Sequence, residues 1–223
     1  MNEQLKSASH ADLYREVFRG SFERGNEKRM RILDAAIEII GMHGLEGLTY
    51  QKLAEQTDLS PSHIAYYFDS RASLIESCGK YVMLTVHRLN VEHLEKVAGK
   101  DWKTQIKALI SANVELMQSY PHHFPVWMSC LQSAAWIPSM LEFSRTVRTT
   151  GQRRMQAIFQ PLFDEWNISP KRQLEISRTA QNIALGWIFE SLARGECTSE
   201  HSNSIGKSVA NGIIDYVQGA VGA

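Results

Sequence analysis

The sequence predicts an all-α protein, on the strength of three observations. Apolar residues recur at helical spacing through almost the whole chain, and no segment alternates polar and apolar residues as a strand does. The clearest stripe, with the i, i+3, i+4, i+7 spacing of one helix face, consists of Leu33, Ala36, Ile37 and Ile40. Gly44, Gly99 and Pro121 follow periodic segments at positions where helices end.

Composition is that of a folded chain and excludes a disordered one. Of 223 residues, 43% are hydrophobic and 22% charged. Lys plus Arg number 24 and Asp plus Glu number 24, so a net charge of zero argues against coating nucleic acid through bulk charge. Cys78, Cys130 and Cys197 are too few and too widely spaced for a disulfide framework or zinc knuckle, which favours a cytoplasmic location.

The segment Leu116–Leu141 lacks Asp, Glu, Lys and Arg and is 26 residues long, enough to span a bilayer. It contains three prolines, two histidines and several other polar residues. We therefore interpret it as buried core and expect no membrane span.

Three short helices are predicted near the N-terminus. The first ends at Gly44, as expected for a C-terminal glycine. The second begins after Thr49, a possible N-cap, and runs to about Thr57. The third begins at Ser60-Pro61, a capping hydroxyl followed by proline, and ends near Phe68.

A longer helical body follows. Its first helix is predicted over Ala72–Ala98, and a second is marked by apolar residues from Ile106 to Met117. Further helices are predicted over Phe124–Trp136, Ser139–Trp166, Pro170–Arg194 and Ser202–Val217. Pro161 is expected to kink or split the second of these four. The predicted organisation is a polar N-terminal arm (1–26), a three-helix unit (27–71) and a larger helical domain (72–223).

The second and third helices have the pattern of a helix-turn-helix. Leu53 faces inward from the first of the pair, and the small Ala54 allows close helix approach. Leu59 fills the turn, and Ile64 and Phe68 face inward from the other helix. In such a motif the second helix projects into the DNA major groove.

With its flanks, this stretch resembles the TetR family of one-component transcriptional regulators. The resemblance runs through ILDAAIEIIGMHGLEGLTYQKLAEQTDLSPSHIAYYF and continues through DSRASLI. It covers about a fifth of the chain, from Arg31 to Leu74. Three positions depart from the common pattern: Asp58 stands where glycine is frequent, Ala65 where an aromatic is common, and Arg71 where lysine is usual.

The resemblance implies a homodimer whose two heads bind a palindromic operator in double-stranded DNA. It further implies that each C-terminal domain encloses an effector pocket, and that the ligand releases a repressor from its promoter. The DNA-facing positions that it implies are Thr49, Gln51, Lys52, Ser60, Ser62, His63, Tyr66, Tyr67 and Arg71. Hydroxyl groups and Lys52 suit phosphate contacts, whereas Ser62 and His63 are placed to reach base edges.

An aromatic and Met-rich run in the charge-free segment is the predicted effector site, and it suggests an apolar or aromatic effector. It consists of Trp127, Met128, Trp136, Met140 and Phe143. Ordinary helical core is the alternative for each residue. His122-His123 lacks partners for a metal site, Cys130 lacks a nearby charged group, and no nucleotide-binding motif is present, so we expect no metal, cofactor or enzymatic activity.

The last two predicted helices suggest a dimer interface in the form of a four-helix bundle. Its representative residues are Trp187, Ile188, Ile213 and Val217, with intrachain core as the alternative. The sequence thus predicts a ligand-responsive dimeric repressor. The alternative function is a helical ligand-binding or protein-interaction module without operator recognition.

Overall fold

The computed structural model describes residues 26–195 and 201–222, and all regular secondary structure within these ranges is helical. The helices are α1 (Asn26–Gly47), α2 (Tyr50–Thr57), α3 (Pro61–Tyr67), α4 (Arg71–Glu95), α5 (Trp102–Ser119), α6 (His123–Ser133), α7 (Pro138–Glu165), α8 (Pro170–Ala193) and α9 (His201–Val221). The predicted all-α fold is confirmed. The predicted arm, apart from its last residue, lies outside the described ranges, as does Cys197.

Helix α1 buries the apolar stripe expected of it. Leu33 and Ala36 are fully buried, and Ile40 is 1% exposed. At Gly44 the backbone has φ 67°, a left-handed value that glycine adopts without steric cost, and one further turn follows before α2. The main run of α1 therefore ends where the sequence predicted.

The first of two compact units comprises the described residues up to Arg88 together with Tyr120–Ser144. Within it α1 packs against α2 and α6, and α2 packs against α3. Its fully buried side chains include Leu53, Ile64 and Phe68, which join the three short helices to one core.

The second unit comprises Leu89–Ser119 and the described residues from Arg145 onward. In this unit α9 packs against α5 and α8. Gly206 on α9 permits close approach to α5, because a Cβ there would lie 2.7 Å from Cγ2 of Val114. Phe159, Phe163 and Ile176 are fully buried and form part of the unit's core.

Of the kink or split predicted at Pro161, the split does not occur, because α7 continues through this residue to Glu165. Proline removes the N–H that would bond to the carbonyl of Ala157. Both residues are exposed, so water can satisfy that carbonyl. The long helix α4 ends at Glu95, and a turn then leads to Gly99, which has φ 76°.

Candidate DNA-binding surface

The turn between α2 and α3 is fixed by one left-handed residue and two capping hydroxyls. Asp58 has φ 52° and ψ 38°, a conformation that Asp tolerates better than most residues. The Oγ1 of Thr49 accepts from the Lys52 amide at 3.2 Å, and the Oγ of Ser60 accepts from the His63 amide at 3.3 Å. Both predicted N-caps are confirmed, and the two hydroxyls therefore begin the helices that carry the other polar side chains.

Helix α3 has one buried and one exposed face. Ile64 is completely buried, whereas Ser62, His63 and Tyr66 are exposed, Tyr66 by 82%. The Ser60 hydroxyl lies 2.9 Å from Oγ of Ser62 and 3.3 Å from Nδ1 of His63, so these polar groups form one cluster at the start of α3. The exposed polar face of α3 is thus held in place by the buried Ile64 on its opposite face.

The exposed surface continues onto neighbouring residues. Gln51 and Lys52 are exposed on α2. Tyr67 is half-buried, and its ring packs edge-on against that of Tyr66 with centroids 5.4 Å apart. This contact supports the Tyr66 ring, which would otherwise project alone into solvent.

Three arginines are hydrogen-bonded to backbone carbonyls within this unit. Arg29 donates to Tyr67 O at 2.7 Å, and its guanidinium lies 5.0 Å from the centroid of the Phe68 ring. Arg31 donates to Thr57 O at 2.6 Å. Arg71 donates to Leu48 O at 3.3 Å and also to the carbonyl of Leu45.

Arg71 was predicted to face DNA, and these bonds give it a structural role in holding the α1–α2 connection. Tyr50 acts similarly from α2, since its hydroxyl donates to Phe68 O at 2.8 Å. Partial burial, and then the nearby charge of Asp69, raise the pKa of Tyr50. This role of Tyr50 could not be predicted from the sequence, because no helical period relates Tyr50 to Phe68.

Comparison with known proteins identifies the segment that contains this surface. Residues 32–78 match the family described as bacterial regulatory proteins, tetR family. An uncharacterized HTH-type transcriptional regulator in the dhlA 5′ region of Xanthobacter autotrophicus is 35% identical over 85 residues. Residues 32–78 thus form a TetR-family segment.

Relatives named BetI, also HTH-type transcriptional regulators, extend the match. The protein from Burkholderia lata is 25% identical over 51% of this chain and 55% of its own length, and that from Burkholderia thailandensis 23% identical over 75% and 84%. The Xanthobacter match covers 38% of this chain and 42% of the relative. The chain thus spans about half the length of the relatives from Xanthobacter autotrophicus and Burkholderia lata. The names of these relatives point to a transcriptional regulator, in agreement with the expectation that the chain is not an enzyme.

Solved structures share the fold. A putative transcriptional regulator from Pseudomonas aeruginosa PAO1 superposes with a TM-score of 0.73 at 15% identity, covering 91% of this chain and 96% of the other. A putative regulator from Saccharomonospora viridis in complex with choline gives 0.69 at 16% identity, covering 86% and 96%. At such identities the likeness concerns the fold alone.

The predicted effector residues differ widely in exposure, and their role stays a prediction. Trp127 and Met140 are buried, Met128 and Phe143 are half-buried, and Trp136 is 74% exposed. The indole Nε1 of Trp127 is buried without a hydrogen-bond partner. Trp136 ends at the surface because the chain turns between α6 and α7 at this residue.

A cavity of different chemistry is present in the first unit. Its lining residues each carry a polar group, and none of them is a predicted effector residue. They are Asp34, Tyr81, Thr85, Arg88, Tyr120 and His123. Tyr81, Thr85 and Arg88 share one face of α4, but helical periodicity could not have related them to Asp34 of α1 or to Tyr120 and His123.

The predicted dimer residues are covered by their own chain. Trp187 and Ile188 are 8% and 3% exposed, and Ile213 and Val217 are fully buried. Their burial favours the alternative of intrachain core. The apolar side chains that α8 exposes are instead Leu174, by 42%, and Phe189, by 57%.

Three other properties concern the described residues: metal binding, thiol chemistry and membrane spanning. Across residues 26–195 and 201–222, no group of three or more His, Cys, Asp or Glu side chains is placed to hold a metal ion. Burial, and then the charge of Glu76, raise the pKa of the Cys130 thiol to about 12, so it stays protonated. Among the helices described, none has the length and hydropathy to cross a membrane.

Proposed function

We propose that this chain is a TetR-family transcriptional regulator that binds double-stranded operator DNA through α3. One observation carries the proposal: Ser62, His63 and Tyr66 stand exposed on a short helix whose opposite side is anchored by the buried Ile64. A recognition helix needs this division, because its polar side must reach base edges while its position stays fixed.

The exposed groups divide by chemistry. Ser62 and His63, at the start of α3, can donate to or accept from base edges in the major groove. Lys52, Gln51 and the hydroxyls of Tyr66 and Tyr67 suit phosphate oxygens. Thr49 and Ser60 remain proposed phosphate contacts, each through the part of its hydroxyl that capping leaves available.

The charge distribution supports specific binding with few ionic contacts. Residues 1–80 contain 10 Lys and Arg against 12 Asp and Glu. Arg29 and Arg31 donate to backbone carbonyls, which leaves Lys28 and Lys52 as exposed cations on α1 and α2. Because each neutralised phosphate adds to the salt dependence, we expect that dependence to be shallow.

A homodimer on a palindromic operator is the arrangement that we propose for the whole protein, with two copies of α3 reading two half-sites. The exposed side of α8, with Phe189, Leu174 and Gly186, is the proposed contact. A Cβ at Gly186 would meet no atom within 4 Å, so a second helix could approach closely there. The apolar side chains supply the area that such an interface must bury.

We further propose repression relieved by a small-molecule effector. The structural neighbours include the regulator from Saccharomonospora viridis in complex with choline and the multidrug binding protein EbrR complexed with imidazole. Small organic ligands in proteins of this fold support a similar mode of control here.

Operator binding can be tested with DNA from the region upstream of the chain's own gene, by fluorescence anisotropy against a random duplex. His63→Ala is expected to weaken operator binding by about 1–3 kcal/mol while changing random-duplex binding little. Lys52→Ala should weaken both equally and lower the salt slope by about one.

Lys100→Ala, at an exposed lysine in the turn after α4, is the matched control and should alter neither affinity nor slope. Equal affinity of the wild type for the upstream fragment and for random DNA would argue against operator recognition and favour a ligand-binding module.

A further inference from the structure

Three polar side chains at the start of α3 form a hydrogen-bond chain with Ser60 in the middle. Oγ of Ser60 lies 2.9 Å from Oγ of Ser62 and 3.3 Å from Nδ1 of His63. The same oxygen accepts the backbone N–H of His63 at 3.3 Å, the bond that caps the helix. One hydroxyl therefore joins the two side chains proposed to reach base edges, and the inference that follows rests on that proposed function.

The single proton of the Ser60 hydroxyl gives the chain a direction. A serine hydroxyl donates one hydrogen bond and accepts two. The amide of His63 takes one of the two acceptor positions, so one donor and one acceptor remain for Ser62 and Nδ1 of His63. If Ser60 donates to Nδ1, it accepts from Ser62, and if it donates to Ser62, it accepts from Nδ1. The two side chains thus always have opposite roles towards Ser60.

The direction of the chain decides what the two side chains offer to DNA. In a neutral imidazole one ring nitrogen carries the proton and the other accepts. When Nδ1 of His63 accepts from Ser60, its Nε2 is a donor, and Ser62 has used its proton and can only accept. In the other direction Nε2 accepts and the Ser62 hydroxyl donates. Either way the pair presents one donor and one acceptor.

The bases divide by the same property in the major groove. The keto oxygens of G and T accept hydrogen bonds, and the amino groups of A and C donate them. We propose that Ser60 couples the two contacts, so that Ser62 and His63 together select one keto base and one amino base in each half-site. Ser60 is a positioning residue in this arrangement, because it sets the base preference without contacting a base.

Two keto bases or two amino bases would leave one side chain facing a group of its own polarity. Once the DNA has displaced water from α3, an unmatched group loses its hydrogen bond without replacement. The chain also uses the proton that the Ser60 hydroxyl would offer to a phosphate. These two roles of the Ser60 hydroxyl exclude each other, and the variants that follow decide between them.

The hydrogen-bond chain can be tested without DNA by NMR of the full chain labelled with ¹⁵N at histidine, with His63→Gln to assign the signals. Ser60→Gly removes the hydroxyl at a position where glycine is an accepted N-cap, and it should shift the Nδ1 signal of His63. Ser70→Gly is the matched control, since Ser70 is exposed and caps α4 by accepting the Ser73 amide at 3.1 Å. An Nδ1 signal that Ser60→Gly leaves in place overturns the inference.

The base preference can be tested by fluorescence anisotropy at pH 8 with operators that carry single transitions in both half-sites. A transition between G·C and A·T exchanges keto for amino and keeps a purine or a pyrimidine in place. Ser62→Ala and His63→Ala should each abolish the preference at the same two base pairs, because loss of either end lets Ser60 reverse. Loss at a different base pair in each variant would mean independent contacts and overturns the coupling.

Double transitions at these two base pairs give the sharpest comparison. For the wild type, one transition should weaken binding about ten-fold, and the second should restore it to within about three-fold of the start. Ser60→Gly should bind all four combinations within about three-fold of one another, whereas Ser70→Gly keeps the wild-type pattern. A second transition that weakens binding further overturns the inference. So does an equal loss for all four combinations in Ser60→Gly, which would identify a phosphate contact.

These measurements separate the inference from the proposed function. If the Nδ1 signal shifts but no duplex is preferred to random DNA, the regulator function is wrong, and the base coupling with it. If an operator is preferred and the two base pairs act independently, the regulator function stands and the coupling is wrong. Should Ser60→Gly fail to fold, Ser62→Ala decides, since it leaves the cap in place.

Discussion

His122 occupies the space beside Gly41 into which a side chain at that position would project. A Cβ on Gly41 would lie 2.5 Å from Cβ of His122 and 2.6 Å from its Nδ1. These distances are far below van der Waals contact. The His122 atoms involved lie close to the backbone of the segment that precedes α6. The absence of a side chain at residue 41 therefore allows α1 to pack against the start of α6.

Gly41→Ala should consequently destabilise the protein. Alanine favours a helix over glycine by about 1 kcal/mol, but overpacking costs about 1–3 kcal/mol, so we expect a net loss of up to about 2 kcal/mol in urea unfolding. Gly219→Ala is the control, because a Cβ there meets nothing within 4 Å, and it should gain about 0.5 kcal/mol. A stabilised Gly41→Ala variant would contradict this packing.

Asp58 provides a test of the turn between α2 and α3. Its φ of 52° suits glycine and strains a β-branched residue. Asp58→Gly should keep or raise stability by up to about 1 kcal/mol, whereas Asp58→Val should lower it by about 1–2 kcal/mol. Thermal unfolding of both variants, with Glu55→Val on the exposed side of α2 as control, measures the difference. Equal stability of the Gly and Val variants would exclude a left-handed residue 58.

Arg29 and Lys28 are adjacent cations with different expected roles. Arg29→Met removes the bond to Tyr67 O and the contact with the Phe68 ring, and should cost about 1–2 kcal/mol in urea unfolding. Lys28→Met changes an exposed side chain and should stay within about 0.5 kcal/mol. The hypothesis fails if the two variants are equally stable.

The sequence predicted local structural signals better than it predicted long-range contacts. The caps at Thr49 and Ser60 depend on neighbouring residues, and both were predicted correctly. The bonds of Arg29 and Arg71 were not, because 38 residues separate Arg29 from its partner and 23 or more separate Arg71 from its partners. The resemblance implied a DNA contact for Arg71, whereas in the fold both arginines donate to backbone carbonyls.

The same limit applied to the ligand site. Aromatic clustering indicated a pocket around Trp127 and Trp136, and this stays a prediction, because hydrophobicity predicts burial without predicting whether space remains. The cavity between α1 and α4 instead depends on Asp34 and Tyr120, which lie far apart in sequence. No periodic pattern relates a residue of α1 to one that precedes α6.

Phe189 tests the proposed dimer contact. Phe189→Glu places a charge on the exposed side of α8 and should raise the dimer dissociation constant ten-fold or more in analytical ultracentrifugation. Trp166→Glu is the matched control, since Trp166 is 52% exposed in the same unit but follows α7, and it should leave the constant unchanged. A wild-type chain that sediments as a monomer, or equal effects of both variants, would remove α8 from the interface.

His123 should make stability depend on pH between about 4 and 6.5. Burial, and then His122, lower its pKa from 6.5 to about 4 in the folded chain. As pH falls below 6.5 the unfolded chain binds a proton that the folded chain does not, so stability decreases until about pH 4 and this contribution then levels off. We expect a slope of about 1 kcal/mol per pH unit from this residue in urea unfolding.

His123→Gln should lose that slope, and His43→Gln, at an exposed histidine of α1, should retain it. Parallel pH profiles for the wild type and His123→Gln would show that the His123 imidazole is not buried as described.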